Sequence, residues 1–263
     1  QSHAVSLYLD IVSDWVVNIP SQKVVWGRHQ LDERDLLWLG SLKQPLLEKS
    51  GDDLRIDWGY LYTTSIQPAL NCLDSDNSLR TQFALSGDIP KQDNTDMPAD
   101  VGNRPPHPSM AWVFDAGTVT ESVTSWQLII AYDDGFSVEY MHRKLRPYWR
   151  RNGMNAKGLI QSTIERFDEI KETCIVYDTE LMDDLVSAGG AAYAQLSALA
   201  FRQCIAAHKL VVDLDGTALL FSKENFSNGC MGTVDVTYPS SPFFLLLNPD
   251  LLEAQLTPIL SYA

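Results

Sequence analysis

The hydrophobic period of this chain changes near Trp149, and that change limits the fold more than any other feature. From Val5 to about Tyr140 the apolar residues sit in short segments rich in Val, Ile, Tyr, Trp and Phe, broken by turn residues. Ala4 to Ile11 alternates cleanly, Gln22 to Trp26 and Leu54 to Tyr62 follow, and Trp126 to Tyr132 closes the series. Such segments predict antiparallel strands, and several of them spaced by polar turns predict a β-sandwich. After Trp149 the spacing becomes helical. Ile160, Ile164, Phe167 and Lys171 recur at helix period, and from Ala191 to His208 the residues Leu196, Leu199, Ala200, Gln203, Cys204 and Ala207 trace one face. Small residues dominate that second segment and allow close helix packing. Val211 to Phe221 reads as a hairpin turning at Asp215-Gly216. Helices are expected over Thr233 to Leu247 and from Pro249 onward, with Pro249 in the first turn. The fold class expected is therefore α+β multidomain: a β-sandwich-like domain over 1–141 followed by helical hairpins over 142–263.

Between Asp88 and Ser109 five prolines, with Gly, Asn and Asp, predict a long exposed loop, an excursion from the β domain because strand-like sequence resumes at Met110-Ala-Trp-Val-Phe. With 263 residues and 45% apolar composition the chain can bury real cores, and no uncharged apolar run is long enough for a membrane span. Twenty Lys and Arg stand against 34 Asp and Glu, a net charge of −14 that repels nucleic acid and anionic lipid. No nucleic-acid or membrane partner is expected. The cationic run Arg143 to Arg151 surrounds Pro-Tyr-Trp and reads as a segment packed on its own protein. The four cysteines, Cys72, Cys174, Cys204 and Cys230, lack metal-ligand spacing, so no metal or other cofactor is expected. A Cys204–Cys230 disulfide stays open, because spacing alone cannot supply its geometry. Asp133-Asp134 reads as a turn or interdomain contact, since adjacent strand side chains point to opposite faces. His208 reads as a helix C-terminal cap. No GxSxG elbow, P-loop, Rossmann fingerprint or HExxH occurs.

Four stretches carry a family likeness: Asp133 to Tyr140 (DDGFSVEY), Leu145 to Trp149 (LRPYW), Tyr193 to Gln203 (YAQLSALAFRQ), and above all Phe221 to Pro239 (FSKENFSNGCMGTVDVTYP). In that order they resemble the glutaminase A family of fungi and bacteria, and Leu7 to Ile11 and Gly51 to Tyr62 look like its β domain. The resemblance implies a β-sandwich followed by an (α/α) toroid of helical hairpins, hydrolysis of the side-chain amide of L-glutamine, and a secreted or periplasmic location. A closed toroid needs about twelve helices, which at ~11 residues each do not fit after Trp149. The chain also stops before the family's later helices and their acidic Met-Pro-Val-Glu-Glu type of segment. The expectation is an internal fragment with an incomplete toroid, whose partners are the small-molecule substrate, glutamine, and the remainder of the same polypeptide.

Amide hydrolysis needs a nucleophile or activated water, a donor for the oxyanion and an acid for the leaving ammonia; glutamine adds a carboxylate and an ammonium to be bound. Seventeen residues from Ser222 to Tyr238 hold suitable groups, and Gly229 and Gly232 suit a loop that approaches a ligand closely. Lys223 is assigned as a carboxylate or oxyanion partner, and Glu224 and Asp235 as ammonium clamp or general acid and base. Asn225, Ser227 and Tyr238 are assigned to substrate hydrogen bonding. Each also has a structural reading: Lys223 and Glu224 as a solvated pair, Asp235 at a helix start, Asn225 satisfying loop backbone. The sequon Asn225-Phe-Ser227 is taken as accidental, because a glycan there would block a cleft. Two other readings stand beside the glutaminase: a glycoside hydrolase, since a β-sandwich before an α-toroid also processes sugars, and a non-catalytic structural module.

Overall fold

The computed structural model of the chain describes residues 3–52, 55–119, 121–224 and 228–262. Two compact units result, Gln1–Glu48 with Arg55–Asp134, and Lys49–Leu54 with Gly135–Ala263. The first contains β1 (Ala4–Val12), β2 (Lys23–Leu31), β3 (Arg34–Ser41), β4 (Tyr60–Ser65), β5 (Leu70–Ser75), α1 (Asp76–Ser86), β6 (Ala99–Asp100), β7 (Pro108–Thr118) and β8 (Leu128–Asp133). Its strands pair antiparallel in two sheets, ordered β1-β7-β5 and β6-β2-β3-β4-β8.

The period-2 pattern explains how the sheets meet. Ile11, Leu73, Met110, Trp112 and Phe114 from one sheet share a core with Val24, Trp26, Leu37, Leu39 and Leu61 from the other, which is the expected sandwich. β7 is buried on both faces. Its alternate residues Ala111 and Val113 enter a second core with Cys72, Ile89 and Leu79 of α1. A strand covered twice must be apolar at successive positions, which is why Met110 to Phe114 does not alternate. Trp112 donates its indole N–H to Thr63 Oγ1 at 2.9 Å across the core, so neither polar atom is left unsatisfied.

Two departures from the sequence reading have local causes. Within the span read as continuous β, α1 intervenes: Ser75 Oγ accepts from the Ser78 N–H, and Gly87, at φ 71°, terminates it. Only its Leu79 and Phe83 pack on the core, so the helical period is too short to stand out. The proline-rich segment after it is a strap sewn to the sandwich. Asp93 holds Arg28 through two bonds of 3.0 and 2.8 Å, Asn94 O accepts from the Trp26 indole at 2.8 Å, and Ile89 and Val101 are buried.

The second unit contains β9 (Val138–Tyr140), β10 (Arg143–Pro147), α2 (Ala156–Glu165), α3 (Phe167–Ala206), β11 (His208–Val212), β12 (Ala218–Ser222), α4 (Val234–Leu247) and α5 (Pro249–Leu260). A sheet ordered β12-β11-β10-β9 anchors it, and because β9 pairs here the chain divides between 134 and 135 rather than at 141. The β11–β12 hairpin alternates between two environments. Val211, Leu219 and Phe221 pack with Val138 and Leu145, while Leu210, Ala218 and Leu220 pack with Phe244 of α4 and Leu251 and Ala254 of α5. The cationic run is consumed internally: Arg143 bonds Asp213 at 2.9 Å, and Arg146, Arg150 and Arg151 lie over the rings of Phe136, Trp149 and Tyr148.

α3 is a folded hairpin. Gly190, at φ 80° and ψ 176°, breaks the helix, and Tyr177 of one arm meets Phe201 of the other with ring centroids 5.9 Å apart. The contact face is set by this fold-back and overlaps the one read from sequence only in part. Leu196 and Leu199 are exposed, whereas Ala200, Cys204 and Ala207, with Ser197 and Phe201, line the groove toward the first arm and α4. Among the described residues no helix is long and apolar enough to cross a membrane.

Gly190→Ala would force a Cβ into φ 80° and ψ 176°, a region open essentially only to glycine, so urea denaturation should show a loss of about 1–3 kcal/mol. Gly158→Ala, in the exposed first turn of α2 with ordinary clearance around a new Cβ, should instead stabilise by about 0.5–1 kcal/mol.

Candidate functional site

The polar segment after β12 folds back on its own backbone. Lys223 forms a β-bridge with Met231 and donates its N–H to Ala207 O at 2.8 Å; the Gly232 N–H returns to Ser222 O at 2.8 Å. Glu224 Oε1 accepts from Thr233 Oγ1 at 2.8 Å, tying the loop to the start of α4. Asn225 and Ser227 lie outside the described residues. Gly229 is required by backbone packing, since a Cβ there would strike the carbonyl of Gly51, so its close approach is to the protein itself. Tyr238 is 78% exposed on the outer side of α4.

Asp235 lies elsewhere. In the first turn of α4, where its charge complements the helix N-terminus, it lines a groove of about 630 Å³. The groove runs between the two arms of α3 and α4, walled by Leu181, Leu185, Phe201 and Phe243, with His208 and Ser240 in its lining. Of the six residues assigned from sequence, Asp235 lines this groove; Lys223, Glu224 and Tyr238 do not.

The densest polar chemistry of the groove comes from residues the sequence reading did not assign to the site. His208 Nδ1 lies 2.6 Å from Cys204 O, a carbonyl of the last turn of α3, so this nitrogen carries the proton and the helix end is capped as expected. Nε2 then presents its lone pair, at 2.9 Å from Gln255 Nε2 of α5 and 3.4 Å from Ser240 Oγ of α4. Gln255, 1% exposed, donates its other N–H to Ser240 Oγ at 2.7 Å, and Ser240 Oγ donates to Thr237 O at 2.9 Å. Ser241 Oγ reaches Gln255 Oε1 at 3.4 Å. The imidazole stands edge-on to Phe244. Burial holds it below its ordinary 6.5, and the nearby charge of Lys223 pushes the same way. Burial also raises the Cys204 thiol. No local motif could reveal this node, because its members converge from β11, α4 and α5.

The first unit has its own polar clefts of about 550 and 570 Å³, both reaching Asp35 and Asn71. Arg28, in the second cleft, is committed: it binds Asp93, Asp35 at 2.8 Å and Asn71. Among the described residues no group of three or more His, Cys, Asp or Glu is placed to hold a metal ion.

Comparison with known proteins divides the chain inside α3, near its break at Gly190, and not where the two units part. Residues 1–184 match the model of a domain of unknown function, DUF5127, and residues 190–263 match the glutaminase A six helical-hairpin domain. The protein named "Glutaminase A" of Aspergillus oryzae is 27% identical over 270 aligned positions, covering 98% of this chain and 38% of the relative. The protein named "Probable glutaminase/05536" of Arthroderma benhamiae is 25% identical over 278 positions, covering 98% of this chain and 31% of the relative. The chain thus spans between 31% and 38% of the length of these relatives. No solved structure matches it.

The depressed His208 sets a direction for pH dependence. Above 6.5 both folded and unfolded imidazoles are neutral; below it the unfolded chain takes up a proton that the folded one resists, so stability falls with falling pH. In thermal unfolding followed from pH 8 to pH 5, the midpoint of the wild type should therefore drop relative to that of His208→Gln once the pH passes below 6.5.

Proposed function

Because the chain belongs to the glutaminase A family, with residues 1–184 in the DUF5127 family, we propose that the complete protein hydrolyses the side-chain amide of L-glutamine to L-glutamate and ammonia. The observation that carries this reading beyond kinship is the groove between α3 and α4, which combines apolar walls, a carboxylate in its lining and a neutral imidazole. A small zwitterion with a short methylene chain needs this combination. Asp235 clamps the α-ammonium; the methylenes lie along Phe201 and Phe243; the amide is directed toward His208 and Ser240. Lys223 receives the α-carboxylate and Glu224 serves in acid–base work, while Asn225, Ser227 and Tyr238 supply hydrogen bonds. These assignments are supported by the residue types in one loop and helix start rather than by convergence on one cavity.

Leu196, Leu199, Leu245, Leu246 and Leu260 are all exposed, and the named family domain has six hairpins. In the complete polypeptide further hairpins cover these leucines and close the substrate site. An isolated 263-residue chain would accordingly be inactive.

With the complete protein, ammonia release from glutamine should be saturable. Asp235→Asn should raise KM about 10–100-fold, the equivalent of one charge-assisted hydrogen bond of ~1.5–3 kcal/mol, with little change in kcat. Release of reducing sugar from oligosaccharides, with none of ammonia from glutamine, would sink the assignment.

A further inference from the structure

The node at His208 has the geometry of a nucleophile and its base, and we propose that Ser240 is the attacking nucleophile of the groove, with His208 as its general base. This inference rests on the amide-hydrolase reading above and supplies the reacting group that reading lacks. Three relations carry it. The hydroxyl and the acceptor nitrogen are neighbours, Ser240 Oγ lying 3.4 Å from His208 Nε2, a separation typical of a nucleophile–base pair before substrate draws it together. The base is oriented by a third group, since His208 Nδ1–H is held on the carbonyl of Cys204 at 2.6 Å, which leaves Nε2 as the proton acceptor. Both side chains line the same groove as Asp235. Asp235 precedes Ser240 by five helical positions, about 7.5 Å along the axis. That suits a substrate whose amide carbon stands four bonds from its ammonium nitrogen.

The step balances with the groups present. Ser240 Oγ–H turns from Thr237 O to His208 Nε2; Oγ bonds to the amide carbon as its proton passes to Nε2, and the carbonyl oxygen becomes the oxyanion. In the resting node one N–H of Gln255 occupies the Nε2 lone pair at 2.9 Å. As the Ser240 hydroxyl turns, it takes the place of that N–H on Nε2 and so frees the lone pair before the proton moves, while Gln255 keeps its other N–H on Ser240 Oγ at 2.7 Å. Collapse breaks the carbon–nitrogen bond. The proton on His208 goes to the leaving nitrogen, ammonia departs, and a γ-glutamyl ester remains on Ser240. Water then attacks the ester, His208 takes its proton and returns it to Ser240 Oγ, and glutamate leaves.

Ser240→Ala removes the nucleophile and leaves the imidazole in place, whereas Ser241→Ala alters the adjacent hydroxyl, which reaches Gln255 but not the His208 ring. In the complete protein a fluorophosphonate probe should modify Ser240, as mapped by peptide mass spectrometry. Ser241→Ala should be labelled at the wild-type rate, Ser240→Ala not at all, and His208→Gln at least ~100-fold more slowly. Turnover of glutamine should fall by a similar factor or more in a Ser240→Ala protein that still unfolds cooperatively, and acid quench of the wild type should trap a glutamyl adduct on Ser240. Wild-type protein unlabelled at Ser240, or folded Ser240→Ala that releases ammonia at the wild-type rate, overturns the inference and leaves the glutaminase reading standing. Labelling of Ser240 in a protein that releases no ammonia from glutamine keeps the nucleophile and removes that substrate.

Discussion

Burial of β7 on both of its faces is the constraint on which the first unit depends. One side of the strand supplies Met110, Trp112 and Phe114 to the core between the sheets, and the other supplies Ala111 and Val113 to the core beneath α1. Each fully buried apolar side chain contributes roughly 1.5–3 kcal/mol, so five consecutive ones make this strand the most costly place to shift register. A slip of one residue would send Trp112 toward the Ala111 side and strand its indole N–H away from Thr63. The pairing of β1 and β5 on its two flanks, the placement of α1 and the closure by the strap at 88–109 all take their reference from it.

The second unit depends on a polar interaction in the same way. His208 begins β11, receives the end of α3 on one nitrogen and is joined through the other to α4 and α5. A buried network of this kind is stable only when every member is satisfied, because an unpaired amide or imidazole in a low-dielectric interior costs more than a hydrogen bond returns. Gln255 meets that demand with both N–H groups and its oxygen engaged. The same network holds a neutral base, its lone pair taken up by the Gln255 N–H, with the Ser240 hydroxyl 3.4 Å away at the lining of a groove. Structural necessity and chemical opportunity therefore coincide at one residue.

What the sequence made legible follows the range over which each signal acts. Strand alternation over Ala4 to Ile11, the hairpin turn at Asp215-Gly216, and Pro249 at the start of α5 are encoded by neighbours and appear where expected, while in the span read as a strand from Leu54 to Tyr62 the described residues become strand only from Tyr60. The face of α3 was misread because Leu196 and Leu199 look like core until the chain is known to reverse at Gly190, after which Ser197 and Phe201 face the partner arm. The strap was misread for a similar reason: Asp93 appears solvated until Arg28, far back in the chain, is brought to it. Asp235, which lines the groove, was singled out because it belongs to a dense polar segment. Ser240 and Gln255 were not, since each sits in a plain helical run and acquires a role only by tertiary convergence.

The reversal at Gly189 and Gly190 also bears on the order in which the chain can assemble during synthesis. Tyr177 and Phe201 are near neighbours along the polypeptide, so the α3 hairpin can close as soon as its second arm leaves the ribosome. β1 has no such freedom. Its partner is the strand ending at Thr118, and until that strand emerges the first nine-residue ribbon must wait with unpaired edges while the β2–β3 hairpin forms ahead of it. The sandwich is therefore the late-closing part of its own unit, and nascent chains arrested before Thr118 would expose a sticky edge that longer ones hide.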